Sequence, residues 1–195
     1  MVARLRPEYP VRTPRLALRP WRPDDLERYH QLRGDPEVAR YLYDEPLSHD
    51  AAADRLAGLR SEIDAPDRWM NLAVELVGDH GDPSGRVVGD VGLCWRSEVH
   101  AHAEIGYVLH PDSRGQGYAT EAATALVDLA FSGLGSHRVT GQIDARNRAS
   151  AAVLERLGLR REGHLVENEF VKGEWTDEVI YAVLDREWSS RRPAP

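Results

Sequence analysis

The stretch Arg114-Gly115-Gln116-Gly117-Tyr118-Ala119-Thr120-Glu121-Ala122 has the residue types of an anion cradle. Gly115 and Gly117 carry no Cβ, so their backbone can come close to a phosphate. A helix that starts after Gly117 offers unpaired N–H groups and the positive end of its dipole. Arg114 adds a charge-assisted contact. A tight turn entering a helix looks the same in sequence. The commoner nucleotide loops fit worse: a Walker loop needs Lys-Ser/Thr after its last glycine, and a dinucleotide fingerprint needs a third glycine where Thr120 stands.

Other reactive residue types are sparse. The one cysteine, Cys94, sits in the apolar run Val91–Trp95 and reads as a small core residue. It leaves no intrachain disulfide and no Cys pair for a metal. His100, His102 and His110 lie on or beside a strand without an acidic or Cys ligand set, so exposed histidines are expected there and no metal. Tyr107 and Tyr118 read as packing residues. Trp21, Tyr41 and Tyr43 read as pocket or core aromatics.

The elements around the loop follow from patterning. Thr13–Trp21 alternates like a strand. Asp24-Asp25 opens a helix over Leu26, Tyr29 and Leu32. Asp35-Pro36 starts a short one carrying Val38, Tyr41 and Leu42. Ser48 caps a third through about Ile63. Trp69–Val77 and Arg86–Arg96 form a hairpin around the polar turn Gly78–Gly85. Ala103–Leu109 is a further strand, in which Gly106 suggests a bulge or a close ligand. A long helix follows Gly117 to about Phe131, then strand His137–Ile143 and helix Asn147–Leu157, ended by Gly158. Strands Leu159–Val171 and Glu174–Leu184 close the chain around Lys172-Gly173. This order predicts an α+β fold with a mixed, mostly antiparallel sheet and flanking helices.

The bulk numbers agree. The chain has 195 residues, 42% hydrophobic and 29% charged, which suits one globular domain over 1–195. The formal net charge of −7 speaks against a general nucleic-acid binder. No apolar run approaches a membrane span and the N-terminus has no signal-peptide core, so a cytoplasmic location is expected.

The loop with its preceding strand, Glu104-Ile105-Gly106-Tyr107-Val108-Leu109-His110-Pro111, resembles motif A of the GNAT acetyltransferases. Their Arg/Gln-x-x-Gly-x-Gly/Ala pattern is matched by Arg114, Gly117 and Ala119. Asn147–Leu159 with Glu162-Gly163, the opening Thr13–Arg19, and the close Asp177–Leu184 with Glu187-Trp188 resemble the RimJ/RimL-like branch. The resemblance spans roughly residues 13–188 and is weakest over Tyr43–Trp69.

The resemblance implies acetyl-CoA bound where Ala103–Leu109 and His137–Ile143 splay apart. Backbone groups of Val108 and Leu109 would hold the pantetheine arm and polarise the thioester carbonyl. The amides of Gln116, Gly117, Tyr118, Ala119 and Thr120, with Arg114 and Gly115, would hold the pyrophosphate. Asn147 would touch the cofactor, although Asn147 and Ser150 also stand at helix-cap spacing. The acetyl group would pass directly to a primary amine, without an acyl-enzyme. Ser150 would hydrogen-bond the departing sulfur and Glu169 would serve as base. Glu104, on one strand face with Gly106 and Val108, is the second candidate base. The family also suggests a homodimer.

The RimJ/RimL-like pattern favours a peptide or protein α-amine as acceptor. A small amine or an aminoglycoside remains an alternative, as does a catalytically weak acyl-CoA-binding module. Asp35 to Asp67 is rich in acid (Asp35, Glu37, Asp44, Glu45, Asp50, Asp54, Glu62, Asp64 and Asp67) and would steer a cationic acceptor.

Overall fold

The computed structural model describes residues 5–77 and 85–191. The turn expected at Gly78–Gly85 falls almost entirely outside them. The described elements are β1 Val11–Arg12, β2 Leu16–Pro20, α1 Leu26–Arg33, α2 Pro36–Ala39, α3 His49–Gly58, β3 Trp69–Leu76, β4 Val87–Ser97, β5 His102–Leu109, α4 Tyr118–Asp128, β6 Arg138–Asp144, α5 Arg148–Arg156, β7 Arg160–Val171, β8 Glu174–Leu184 and α6 Asp185–Ser189. The strands form one eight-stranded sheet in the order β1-β2-β3-β4-β5-β6-β8-β7. Every neighbouring pair is antiparallel except β5 and β6.

The two faces of this sheet have different work. Val91, Leu93, Ala103, Ile105, Val139, Tyr181 and Val183 point to one face and pack under α4 and α5 into the main core. The alanine-rich face of α4, with Ala122, Ala123, Leu126 and Val127 buried, lets that helix approach the sheet closely. On the other face α1 and α3 hold a small cluster of Tyr29, Ala52 and Leu56. Strand alternation sends Asp90, Gly92, Cys94, Glu104, Gly106, Thr140, Gln142, Asp144 and Glu178 to this second face.

Several expectations shift in detail. The third helix ends at Gly58 rather than Ile63, because Ile63 is taken into a bridge with Leu5. Helix α2 stops at Ala39, so Tyr41 and Leu42 stand beyond it. The first strand shortens to β2; Thr13 turns back, its N–H donating to Leu16 O at 2.9 Å. Gly106 marks no bulge. It clears the Trp69 ring, which a Cβ at Gly106 would meet at 3.6 Å and one at Gly92 at 2.9 Å. Cys94 is fully buried, and burial pushes its thiol up to about 11. His110 is not exposed: it is 2% accessible, and burial first, then Arg28, lowers its pKa to about 4. No described helix is long and apolar enough to cross a membrane.

Candidate active site

Strands β5 and β6 pair only over His102–Glu104 and Arg138–Thr140. Beyond Glu104, β5 stays with β4 and β6 stays with β8, so a wedge opens between them. A cavity of about 1040 Å³ occupies the mouth of this wedge, between the loop after β5, α2 and α5. A smaller one, about 250 Å³, lies towards the second sheet face. The two share Tyr41, Leu42, Tyr107, Val108, Asn147 and Ser150 as common walls.

The loop takes the conformation its glycines allow. Gly115 and Gly117 sit at φ +77° and +82°, a region side chains rarely adopt. Gly117 is the residue before α4, and the first amide to close a helical bond there is Glu121, to Gly117 O at 3.1 Å. The amides of Tyr118, Ala119 and Thr120 are therefore left without intrahelical acceptors. Arg114, Gly115, Gln116, Gly117, Ala119 and Thr120 all line the larger cavity, whereas the Tyr118 ring turns away under Arg15. The Thr120 hydroxyl is buried there with no hydrogen-bond partner among the described residues.

Arg114 differs from expectation. Its guanidinium is ion-paired with Glu37, so its charge is already partly spent. A second arginine that sequence reasoning missed stands at the loop. Arg15 donates to Gln116 O at 2.9 Å, pairs with Glu121 at 2.6 Å and lies 4.8 Å from the Tyr118 ring centre. Glu121 also accepts from the Arg15 N–H and from Thr13 Oγ1. Burial alone would raise the Glu121 carboxyl, but these bonds hold it below the usual carboxylate range. The signal was present in the opening Thr13-Pro14-Arg15, but nothing local says it reaches residue 121.

The β5 backbone also corrects an expectation. His110 N–H donates to Val88 O at 2.9 Å. By antiparallel alternation the N–H and C=O of Val108 then face Asp90 on β4, its register partner. The groups that face the wedge are those of Tyr107 and Leu109. Leu109 lines the larger cavity, while Val108 lines both.

Asn147 and Ser150 stand at the start of α5. Asn147 Oδ1 caps α5 by accepting from Ser150 N–H at 3.0 Å, yet both residues also line the two cavities. Ser150 Oγ donates to Tyr107 Oη at 3.0 Å, and Tyr107 Oη donates to Ser150 O at 2.9 Å. Burial pushes the Tyr107 phenol up to about 12, so it is a fixed hydrogen-bonding post rather than an acid.

The carboxylates converge on the second face. Glu104 lines the smaller cavity and is held by Arg96 Nε at 2.8 Å. Glu169 is half-buried on β7. Glu178 was not singled out in the sequence. It is 7% accessible and accepts from Asn168 Nδ2 at 3.0 Å, with Tyr43 Oη donating to it at 3.5 Å. Burial raises the Glu178 pKa, and the Glu169 and Glu104 carboxylates raise it further. Tyr43, which lines the smaller cavity, is pushed up to about 12 by burial and by the same three carboxylates. Trp21 does not line either cavity; it packs on Tyr29 and donates to Asp90 at 3.0 Å.

The acid of the helical segment is largely neutralised. Glu37 pairs with Arg114, Asp44 with Arg55, Glu62 with Arg6, Asp64 with Arg60 and Asp67 with Arg96, while Asp35 caps α2. The unneutralised negative charge of the site therefore comes from the sheet.

A sequence profile of the acetyltransferase (GNAT) domain matches residues 15–160. The chain belongs to the GNAT acetyltransferase family. A solved GNAT-family acetyltransferase from Bacillus anthracis superposes with a TM-score of 0.79 at 28% identity, covering 90% of this chain and 98% of that one. The spermidine N(1)-acetyltransferase of Escherichia coli (strain K12) is 26% identical over 178 residues, 91% of this chain and 90% of that protein. A putative ribosomal N-acetyltransferase of Bacillus subtilis (strain 168) is 28% identical over 183 residues, 91% of this chain and 95% of that protein. The GNAT fold is thus the fold of this chain, and GNAT acetyltransferases use acetyl-CoA. The residues present fit that molecule. The loop has free amides, two glycines at positive φ and a buried hydroxyl without a partner, and the wedge leads from it to a second cavity.

Proposed function

We propose that the enzyme transfers the acetyl group of acetyl-CoA directly to the α-amine of a peptide or protein. The observation that carries this reading is the small second cavity, which shares walls with the cofactor cleft and is lined by Asp90, Glu104, Asp144 and Tyr43, the last reaching the Glu178 carboxylate behind it. Acetyl-CoA supplies an activated acyl carbon on a thiolate leaving group, and the chain's residues do the rest. The amides of residues 116–120 and Arg15 hold the pyrophosphate, with Arg114 beside them. The backbone of Tyr107 and Leu109 faces the arm and the thioester carbonyl. Ser150, released from Tyr107, can donate to the sulfur; a thiol pKa near ~8.5 demands little more.

The proton of the incoming amine needs an acceptor. Glu104 is committed to Arg96, which makes it the poorest of the three. Glu178 is the buried carboxylate whose proton affinity is raised, and Tyr43 Oη already donates to it. The Tyr43 oxygen can accept from the amine while its own proton passes to Glu178. Glu169 beside it keeps the pair's proton affinity high. This relay replaces Glu169 as the base expected from the family pattern and keeps Glu169 as its neighbour.

An α-amine, with a pKa near ~7.7–8, suits a carboxylate base better than a lysine or polyamine amine near ~10.4. The cavity wall also offers the side-chain amides of Asn71 and Gln142, donors that the first carbonyls of a peptide can satisfy. A polyamine brings donors only and would leave these unmet. The second reading, a polyamine acceptor, rests on the carboxylate cluster and on the spermidine-acetylating relative. The test is thiol release from acetyl-CoA with free-amine peptides, N-acetyl-blocked lysine peptides, spermidine and an aminoglycoside. Turnover confined to the free-amine peptides is expected. Turnover confined to spermidine or the drug overturns the peptide assignment, and no turnover with any amine favours a binding module.

A further inference from the structure

Four arginines line the larger cavity: Arg15, Arg40, Arg114 and Arg156. Three have occupations. Arg15 pairs with Glu121, Arg114 pairs with Glu37, and Arg40 stacks 5.2 Å from the Tyr41 ring centre. Arg156 makes no hydrogen bond or ion pair among the described residues. It stands exposed on the last turn of α5.

Its place along the cleft is set by the helix that carries it. On α5 the residues Ala149, Ala152, Val153 and Arg156 follow the i, i+3, i+4, i+7 spacing of one helical face. All four line the larger cavity, and none lines the smaller one. Asn147 and Ser150, at the other end of the helix, line both. The acyl end of the cleft is therefore at Ser150. Arg156 lies six residues further along, about 9 Å at the rise of an α-helix. The surface between them is two alanines and a valine, small and apolar, against which a flat heteroaromatic ring can lie.

Acetyl-CoA has two phosphate groups to place: the pyrophosphate, which the loop at 115–120 fits, and the 3′-phosphate of the adenosine at the end far from the acetyl group. We propose that Arg156 binds the 3′-phosphate and that the Ala149–Ala152–Val153 face carries the adenine. This rests on acetyl-CoA occupying the larger cavity as described above. A guanidinium with no internal partner is free to make a bidentate contact with a phosphate without breaking a native pair.

The test measures binding, without turnover. Titration calorimetry compares CoA with 3′-dephospho-CoA on the wild-type protein and on Arg156→Ala, with Arg40→Ala as a companion. The wild-type protein is expected to prefer CoA by on the order of ten-fold, the factor of one charge-assisted hydrogen bond. Arg156→Ala should reduce that preference to near one, weakening CoA and leaving dephospho-CoA unchanged. Arg40→Ala should keep the preference. Four outcomes overturn the proposal: a wild-type protein indifferent to the 3′-phosphate, an unchanged preference in Arg156→Ala, a preference lost in Arg40→Ala instead, or a lower melting temperature in Arg156→Ala with binding intact. The last would make Arg156 only a cation at a helix C-terminus. Failure of either ligand to bind the wild-type protein would point elsewhere, to the assignment of the cleft itself.

Discussion

The two cavities are made in opposite ways. The larger one is lined by one stretch of chain between Arg114 and Glu121, from which only Tyr118 turns away, by one face of α5 and by α2 with the segment after it, and its charged walls are mostly arginine. The smaller one is lined by Asp90 on β4, Glu104 on β5 and Asp144 on β6, and by Tyr43, which reaches Glu178 on β8, 135 residues away. The first suits a polyanion, with its amides and guanidinium groups. The second suits a cation, with Glu104 and Glu169 close enough to raise the proton affinity of the buried Glu178. A wedge between two strands joins them, so in the proposed reaction a donor anion and an acceptor cation would meet end to end from opposite sides of one sheet.

The sharpest way to break this contrast is to put acid into the basic half. Gly117 sits at φ +82°, and a Cβ there would meet the Arg15 guanidinium at 3.3 Å. Gly117→Asp adds both backbone strain and a negative charge where phosphate is expected. Acetyl-CoA affinity should fall more than about a hundred-fold by calorimetry, a loss beyond ~2.7 kcal/mol. Intact affinity in a folded variant would remove the loop from the site.

The loop and the cap on α5 were legible in the sequence because each is local. Glycine at positive φ, a helix start and an Asn147–Ser150 cap are all settled within four residues of chain. Arg15 was not, since its meaning depends on Glu121, 106 residues later. Glu178 was not for a related reason. On β8 it alternates with Asp177 and Val179, and only the pairing of β8 with β6 and the shift between Leu165 and Glu169 on β7 turn it towards Tyr43. Val108 was misassigned because sequence gives the strand but not which edge each amide faces. The acid of residues 35–67 was over-read because its partners, Arg6, Arg96 and Arg114 among them, lie outside the segment.

A change of middling size separates the three carboxylates. Glu178→Gln should lower kcat by about a hundred-fold, near the lower end of the ~10²–10⁴ expected of a general base because an α-amine is only weakly basic. CoA affinity should stay unchanged. Stability should move the other way. The folded protein binds the Glu178 proton more tightly than the unfolded chain does, so folding loses stability as pH rises above the ordinary glutamate range near ~4.3. Glutamine removes that penalty, and the variant's melting temperature should exceed the wild-type value at pH 7 and converge with it at acid pH. A variant that is slower and less stable would mark Glu178 as a structural group. Silence at Glu178 with damage from Glu104→Gln would move the base to β5.

The smallest expected effect concerns how the acceptor arrives. Exposed charges act over about one Debye length, ~10 Å at 0.1 M salt. Within residues 35–67, Glu37, Asp44, Glu62, Asp64 and Asp67 are paired with arginines and contribute little field at that range. The Glu169–Glu178 pair on the sheet is the remaining source at the site. A free-amine peptide with basic residues after the first should therefore have a higher kcat/KM than its acidic counterpart, on the order of ten-fold at low salt. Added salt should shrink the ratio, because it screens encounter more than contact. Substitution tells the two sources of field apart. Glu169→Gln, which removes one charge from the sheet, should reduce the ratio, while Asp54→Asn on α3 should leave it as it was. Initial rates on the two peptides across a salt series measure this. A ratio that ignores salt would place the discrimination in direct contacts within the cavity, and a ratio that follows Asp54 would return the steering field to the helices.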